Sequence, residues 1–423
     1  VTETNRARCT VRGARGLPQV EHPSIPMTTL LEDPIVIEPL GPSEGVEPVR
    51  VGFLSDMPTG SELGGYLDPI ILAFEDAMNE GRLTRSVEIV AAHVVGLPTG
   101  AAENVVDAYL DLVAQGCVLV MSTGVTNNAL VLMDPINTSG VPLITMAGTT
   151  QFVGPHCFSL ANGGHGEEAA ILAAFLASWG LLRVVVTGEG TDGDAEYRRF
   201  FREQASLYGI EILDEHYFAQ RPSDNELDAT LTRFRDELQP HALVYCGFGL
   251  HSGQLNPSLD RIGWAPPKVM NAAIMWALAG PAWMDALDGW VGIEQTLGDH
   301  EQLEKNPNWD PMLDRHEERF GYRPDDTMTA LLYDQGRATG EAMINAPELN
   351  GLGMTAGLER IKMMPSTLGG PRTYIGFGPD DHRGYRGDFM FMKQLRDGKF
   401  YFISYHWPQW PISGNGRATS VPQ

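Results

Sequence analysis

"VLVMSTGVTNNALVLM", Val118 to Met133, passes from an apolar burst through a serine, a threonine and a glycine straight into a helical pattern. The apolar run reads as a buried parallel strand, and Thr126-Asn127-Asn128 are residue types that open helices. A strand-to-helix turn of this kind leaves backbone N–H groups and hydroxyls at the mouth of a sheet, where open α/β proteins hold ligands. A phosphate cradle of the P-loop type is excluded, because no lysine follows the glycine.

The same alternation extends outward from this stretch. "VRVGFL" (49–54), "VEIVAAHVV" (87–95) and "VPLITM" (141–146) are strand-like runs with helical patterns between them. In "ENVVDAYLDLVAQG" (103–116), Val105, Tyr109, Leu112 and Val113 recur at helical spacing and Gly116 makes a stop. The beat resets at the glycine-rich connector Asn162-Gly163-Gly164 and restarts. "LLRVVVTG" (181–188), "IEILDEHYF" (210–218), "HALVYCGFG" (241–249), "PKVMNAAIM" (267–275) and "GWVGIEQT" (289–296) read as strands. "SDNELDATLTRFRDEL" (223–238) is the clearest helix: Ser223 and Glu226 suit a capping box, and Leu227, Leu231, Phe234 and Leu238 form one stripe. Beyond 296 helices dominate, and Arg396-Asp397-Gly398-Lys399 signals a closing hairpin. Two alternating β/α series imply two parallel sheets, each covered on both faces.

Several function classes drop out. A net charge of −24 over 423 residues argues against nucleic acid and anionic membrane, both polyanions. The longest apolar stretch, "AAILAAFLASWGLLRVVV" (169–186), is broken by Trp179-Gly180 and Arg183, so no membrane insertion is expected. The cysteines at 9, 117, 157 and 246 lack metal spacing, no HxxxH or HExxH pair exists, and "GTDGDAE" (190–196) lacks the glycine and glutamate that complete a calcium loop. No metal and no cofactor are expected. No G-x-S-x-G elbow or other catalytic constellation supports an enzyme. The Arg-rich opening has no apolar core of the kind a secretory signal needs, so the chain as it stands reads as cytoplasmic, or as exported with its signal missing.

The order of these junctions resembles the type I periplasmic solute-binding proteins, in particular the leucine/isoleucine/valine-binding branch, over roughly residues 48–405. The resemblance is carried by "VRVGFLSDMPTGSELGGYLDPIILAFEDAMN" (49–79), by the opening stretch continued through "DPINTSGVPLITMAGTT" (134–150), by "LRVVVTGEGTDGDAEYRRFFREQASLYGIEI" (182–212) and by "YIGFGPDDHRGYRGDFMFMKQLRDGKF" (374–400). It implies an α/β fold of two doubly wound Rossmann-like lobes joined by a three-crossing hinge and closing on a small-molecule ligand. The expected division is a tail at 1–47, lobe 1 at 48–163 plus 296–372, lobe 2 at 164–295 plus 373–405, and a tail at 406–423.

The resemblance also implies the site. In lobe 1, the edge Ser122, Thr123, Val125 and Thr126 and the turn Gly148, Thr149 and Thr150 would offer hydroxyls and N–H groups to a ligand's polar end. In lobe 2, Phe248, Asn271, Met275 and Trp276 would cover its body. Amino-acid binders of the family carry an acid just after the strand matching "PKVMNAAIM", and here Asn271 to Trp276 holds none. A buried ammonium without a counter-charge is costly, so a neutral or anionic organic solute is expected rather than a free amino acid. The role implied is that of the solute-binding component of an ABC transporter, with its permease as partner. The alternative is a cytoplasmic ligand sensor similar to the amide-receptor branch and controlling a regulator.

Overall fold

The computed structural model describes residues 35–41, 46–56, 63–97, 99–161, 163–219, 221–295, 305–324 and 327–403; Cys9, Asn162 and the tail at 406–423 lie outside them. In the first lobe β1 (Ile35–Leu40), β2 (Val49–Ser55), β3 (Val87–His93), β4 (Val120–Met121), β5 (Leu143–Thr145) and β6 (Cys157–Ser159) share one sheet. Between them run α1 (Leu63–Asn79), α2 (Ala102–Ala114), α3 (Thr126–Val131) and α4 (Met133–Ser139). The second lobe carries β7 (Arg183–Glu189), β8 (Glu211–Phe218), β9 (Ala242–Tyr245), β10 (Lys268–Met270) and β11 (Val291–Glu294). Its helices are α5 (His165–Ser178), α6 (Asp192–Leu207), α7 (Asp224–Arg233), α8 (Leu255–Ile262) and α9 (Pro281–Ala286). Helices α10 (Trp309–Phe320), α11 (Thr327–Asn345) and α12 (Gly351–Glu359) return to the first lobe. A small sheet of β12 (Met364–Pro365), β13 (Tyr374–Ile375) and β14 (Tyr385–Arg386) follows, and the hairpin β15 (Phe391–Arg396) and β16 (Lys399–Phe402) ends on the second lobe.

The strand order is β1-β3-β2-β4-β5-β6 in one sheet and β16-β15-β11-β10-β9-β7-β8 in the other. Neighbours from β3 to β6 and from β8 to β11 are parallel, while β1, β15 and β16 add antiparallel edges. Side chains alternate between two cores on each sheet: Val51 and Phe53 face one, Leu54 the other; Val184 and Val186 face one, Val185 the other. Each sheet reverses its winding direction once, between β2 and β4 and between β7 and β9. Such a switch point opens a crevice at the carboxyl ends of the strands, so two crevices are built before any side chain is considered.

Three expectations need correction. Residues 35–40, placed in a periodless tail, add β1 to the edge of the first sheet by pairing with β3, as their β-branched Ile35, Val36 and Ile37 allow. The last crossing does not lie at 372/373. Ile375, Phe377 and Tyr385 belong to the first lobe's core with Phe389 packed against it, whereas Met390 and Met392 pack in the second, so the chain crosses at 389/390. Third, "PKVMNAAIM" is a strand only as far as Met270. Asn271 accepts a bond from Ala273 N–H and turns Ala272–Ala279 into 3-10 helix, a change that an unbroken apolar run cannot signal by periodicity.

Candidate ligand-binding cleft

The opening stretch ends its strand in a way that uses up most of its own polar groups. Ser122 takes a left-handed φ of +64° and sends its N–H to Ile144 O at 2.8 Å. Thr123 Oγ1 meets Thr145 Oγ1 at 2.9 Å, and Thr145 Oγ1 in turn reaches Thr123 O and Ala147 N–H. The N–H groups of Gly124 and Val125 both donate to the buried carboxylate of Asp56, at 2.7 and 3.2 Å, and Asn128 Nδ2 joins them at 2.9 Å. Asp56 stands at the end of β2, beside β4 across the switch point, so this carboxylate closes the crevice of lobe 1 from within. Burial raises its pKa, and the three donors pull the other way.

The second crevice is built around Glu189, at the end of β7. It accepts Tyr245 Oη (2.5 Å), Gly249 N–H (3.2 Å) and His251 N–H (3.0 Å), which fixes the loop after β9 and turns Gly247 and Phe248 toward the gap. Asn271 Nδ2 bonds Gly247 O at 3.0 Å. Trp276 Nε1 bonds Phe248 O at 2.8 Å, with its ring 5.5 Å from Phe248 and 5.3 Å from Trp283. The 3-10 turn after Asn271 thus aims Met275 and Trp276 at the gap while the indole still packs as core.

The two lobes meet around a cavity of about 360 Å³. At its rim Glu196 of α6 accepts Thr149 Oγ1 (2.7 Å), Thr150 N–H (3.2 Å), the Thr150 hydroxyl and His165 Nδ1 (2.8 Å), a clasp from lobe 2 onto lobe 1. Burial opposes its charge, but the bonds from His165, Thr150 and Thr149 outweigh that and hold the carboxyl at about 2. Beside the clasp, Gly193 approaches Asn127 so closely that a Cβ would lie 2.4 Å from Asn127 Oδ1, so a larger residue there would push the Asn127 amide aside.

Of the residues expected from sequence, Val125, Thr126, Gly148, Phe248, Asn271, Met275 and Trp276 line this cavity. Ser122 and Thr123 are buried behind it, and Thr149 and Thr150 bind Glu196 at the rim. Sequence reasoning passed over Glu168 and Tyr197, which line the wall with Asp194. Burial pushes Glu168 to about 7, against the pull of His165 and of Ala272 N–H. Burial and then the charge of Glu189 push Asp194 to about 7. Nothing in the sequence separates Glu168 from its neighbour Glu167, since paired acids at a helix start are ordinary dipole partners.

Two doubly wound lobes, three crossings and a cavity walled by both define a type I binding protein. Residues 48–399 match the family model for periplasmic binding protein, and the chain belongs to that family, whose members are ligand-binding receptors. Solved structures agree on the fold. An ABC transporter substrate-binding protein from Desulfitobacterium hafniense in complex with Leu is 16% identical with a TM-score of 0.68, over 84% of this chain and 100% of that one. The branched-chain amino acid transporter substrate binding protein LivJ from Streptococcus pneumoniae, in complex with isoleucine, is 18% identical with a TM-score of 0.66, over 84% and 98%. A solute binding protein from R. palustris in complex with benzoate is 16% identical with a TM-score of 0.64, over 84% and 96%. No curated protein matches. Among the described residues no helix is long and apolar enough to cross a membrane.

Proposed function

We propose that this protein is the solute-binding component of an ABC transporter and closes its lobes on a neutral organic solute with an apolar or aromatic body, rather than on a free amino acid. The observation that carries this reading is the composition of the cavity wall. Phe248, Met275 and Trp276 on one side and Met146, Met328 and Leu332 on the other make an apolar slot of ligand size. Ala273, where amino-acid binders would place an acid, lines the cavity with a methyl group and no charge. An anionic solute, the other arm of the expectation from sequence, would rest on hydroxyls and backbone alone, because no lysine or arginine lines the cavity among the described residues. Closure follows as a shift between open and closed states, driven by contacts that only the closed state makes to the solute. The likeness to transporter receptors supports a permease as partner.

A second reading, an ammonium-bearing solute, is favoured by one observation: the Glu168 and Asp194 carboxylates on the wall. Calorimetry with leucine, isoleucine and valine separates the two. Weak or absent binding agrees with the first reading, and micromolar affinity for any of them replaces it with the second.

A further inference from the structure

The lobes are tied across the cleft by polar contacts of two unequal kinds. Arg383, on the chain bridged to Ser159 of β6, pairs at 2.7 Å with Glu167 in the first turn of α5. Both side chains are exposed by about a third or more, and such a pair holds little against water. The Glu196 clasp is the reverse, for its side chain is only 1% exposed. Three of its four donors belong to lobe 1: the Thr149 hydroxyl at 2.7 Å, the Thr150 N–H at 3.2 Å and the Thr150 hydroxyl. The fourth is His165 Nδ1 at 2.8 Å, whose own backbone N–H reaches Gly148 O at 2.9 Å. The lobe 1 turn is set for this, because Thr149 Oγ1 accepts from Gln151 N–H at 3.1 Å and keeps its proton for Glu196. Burial opposes the charge on Glu196, and the bonds from His165, Thr150 and Thr149 outweigh it, so the carboxylate stays ionised at neutral pH. Hydrogen bonds to an ionised group are the strong class. Thr149, Thr150 and Glu196 stand outside the cavity wall, so the chain makes every bond of the clasp without a solute.

We infer that Glu196 is a latch, which holds the two lobes shut over the empty cavity and must let go before a solute can enter or leave. If the lobes part, Glu196 loses its three lobe 1 donors together, and the closed state is favoured by that loss alone. A solute then finds the closed form already populated and has less of the closure to drive. The inference goes beyond the nature of the solute, because it concerns the chain by itself.

The test needs no solute. The full chain, freed of any retained molecule by unfolding, dialysis and refolding, is compared with Glu196→Ala and with the double variant Thr149→Val/Thr150→Val, which breaks the clasp from the other lobe. Small-angle X-ray scattering reads the separation of the lobes, and amide hydrogen exchange reads the Thr150 N–H. The unaltered chain is expected to be compact, with the Thr150 amide protected. Glu196→Ala is expected to have a larger radius of gyration and roughly tenfold faster exchange at Thr150. The threonine double variant should expand likewise. The Gly124 amide, held by Asp56 within lobe 1, should exchange equally slowly in all three and so reports that each is folded. An unaltered chain as expanded as its variants overturns the inference, and so do variants as compact and as protected as the unaltered chain. Either result leaves the solute-binding reading standing, since no solute takes part.

Discussion

The two walls of the cleft are made by the same topological device and finished differently. On lobe 1 the strand-end donors turn inward: Gly124 and Val125 N–H go to Asp56, Thr123 to Thr145, and Thr149 and Thr150 to Glu196. On lobe 2 one acid, Glu189, is consumed in fixing the loop, while two others, Glu168 and Asp194, line the cavity. A switch point supplies a crevice; whether that crevice offers hydrogen bonds depends on whether a buried acid from the neighbouring strand has already taken them. Lobe 1 therefore presents strand-end donors that are already bonded, and lobe 2 presents a wall with two carboxylates.

Four measurements break or sharpen that contrast. The largest effect is expected from Trp276→Ala. The indole is 5% exposed, bonded to Phe248 O and packed on Trp283, so its loss should cost about 3–5 kcal/mol in denaturant unfolding. Solute affinity should fall roughly tenfold or more as well. A normal melting temperature with weakened binding would mean that the aromatic wall is a contact surface and not core.

Asp56→Ala should follow at about 3 kcal/mol, because it strands the N–H groups of Gly124 and Val125 and the amide of Asn128 in a buried place. Unchanged stability would mean that these donors find other partners and that Asp56 does not hold the strand end of lobe 1.

Glu196→Gln tests the clasp and should cost about 1–2 kcal/mol at pH 7. The sign follows from the carboxyl's shift from its ordinary 4.5 down to about 2. A group depressed in the folded state stabilises fully above its unfolded value and loses that contribution as pH falls through the folded one. The gap between wild type and variant should therefore be constant above about pH 4.5 and close as pH drops toward 2. A gap that widens in acid would rule out an ionised clasp.

The smallest effect belongs to Ser223→Ala, about 1 kcal/mol, from loss of the capping box whose Ser223 N–H bonds Glu226 Oε2 at 2.9 Å. It lies away from the cavity wall, so solute affinity should not move, and any change there would mean that lobe 2 transmits distant strain into the site.

Much of the architecture is legible from pattern. The alternation of apolar runs with helical stripes marks the parallel strands, the capping box at Ser223 starts α7 where expected, and Asp397-Gly398 adopts left-handed φ values of 52° and 69° in the final hairpin. Each of these is a local preference that acts over a few residues. The N-terminal strand was not legible, since three β-branched residues in a Pro- and Glu-rich stretch become a strand only when β3 offers an edge to pair with. The late crossing was hidden for a similar reason, because Tyr374 to Phe389 choose a lobe by packing against a core that is not adjacent in sequence.

The sequence by itself determined two doubly wound sheets, their order along the chain and the strand ends that form the crevices, because hydrophobic period and turn chemistry are written within each segment. Phe248, Asn271, Met275 and Trp276 were expected only from the resemblance to the binding-protein family, and they line the cavity. Only the tertiary structure decided which polar groups remain available there. Asp56 is 68 positions from Gly124 and silences its N–H, while Glu196 is 47 positions from Thr149 and takes its hydroxyl. Tyr197 is left with nothing in the protein to bond. Hydrogen bonding is a pairing between partners brought together by the fold, so a donor's identity can be read from one residue, but its availability cannot.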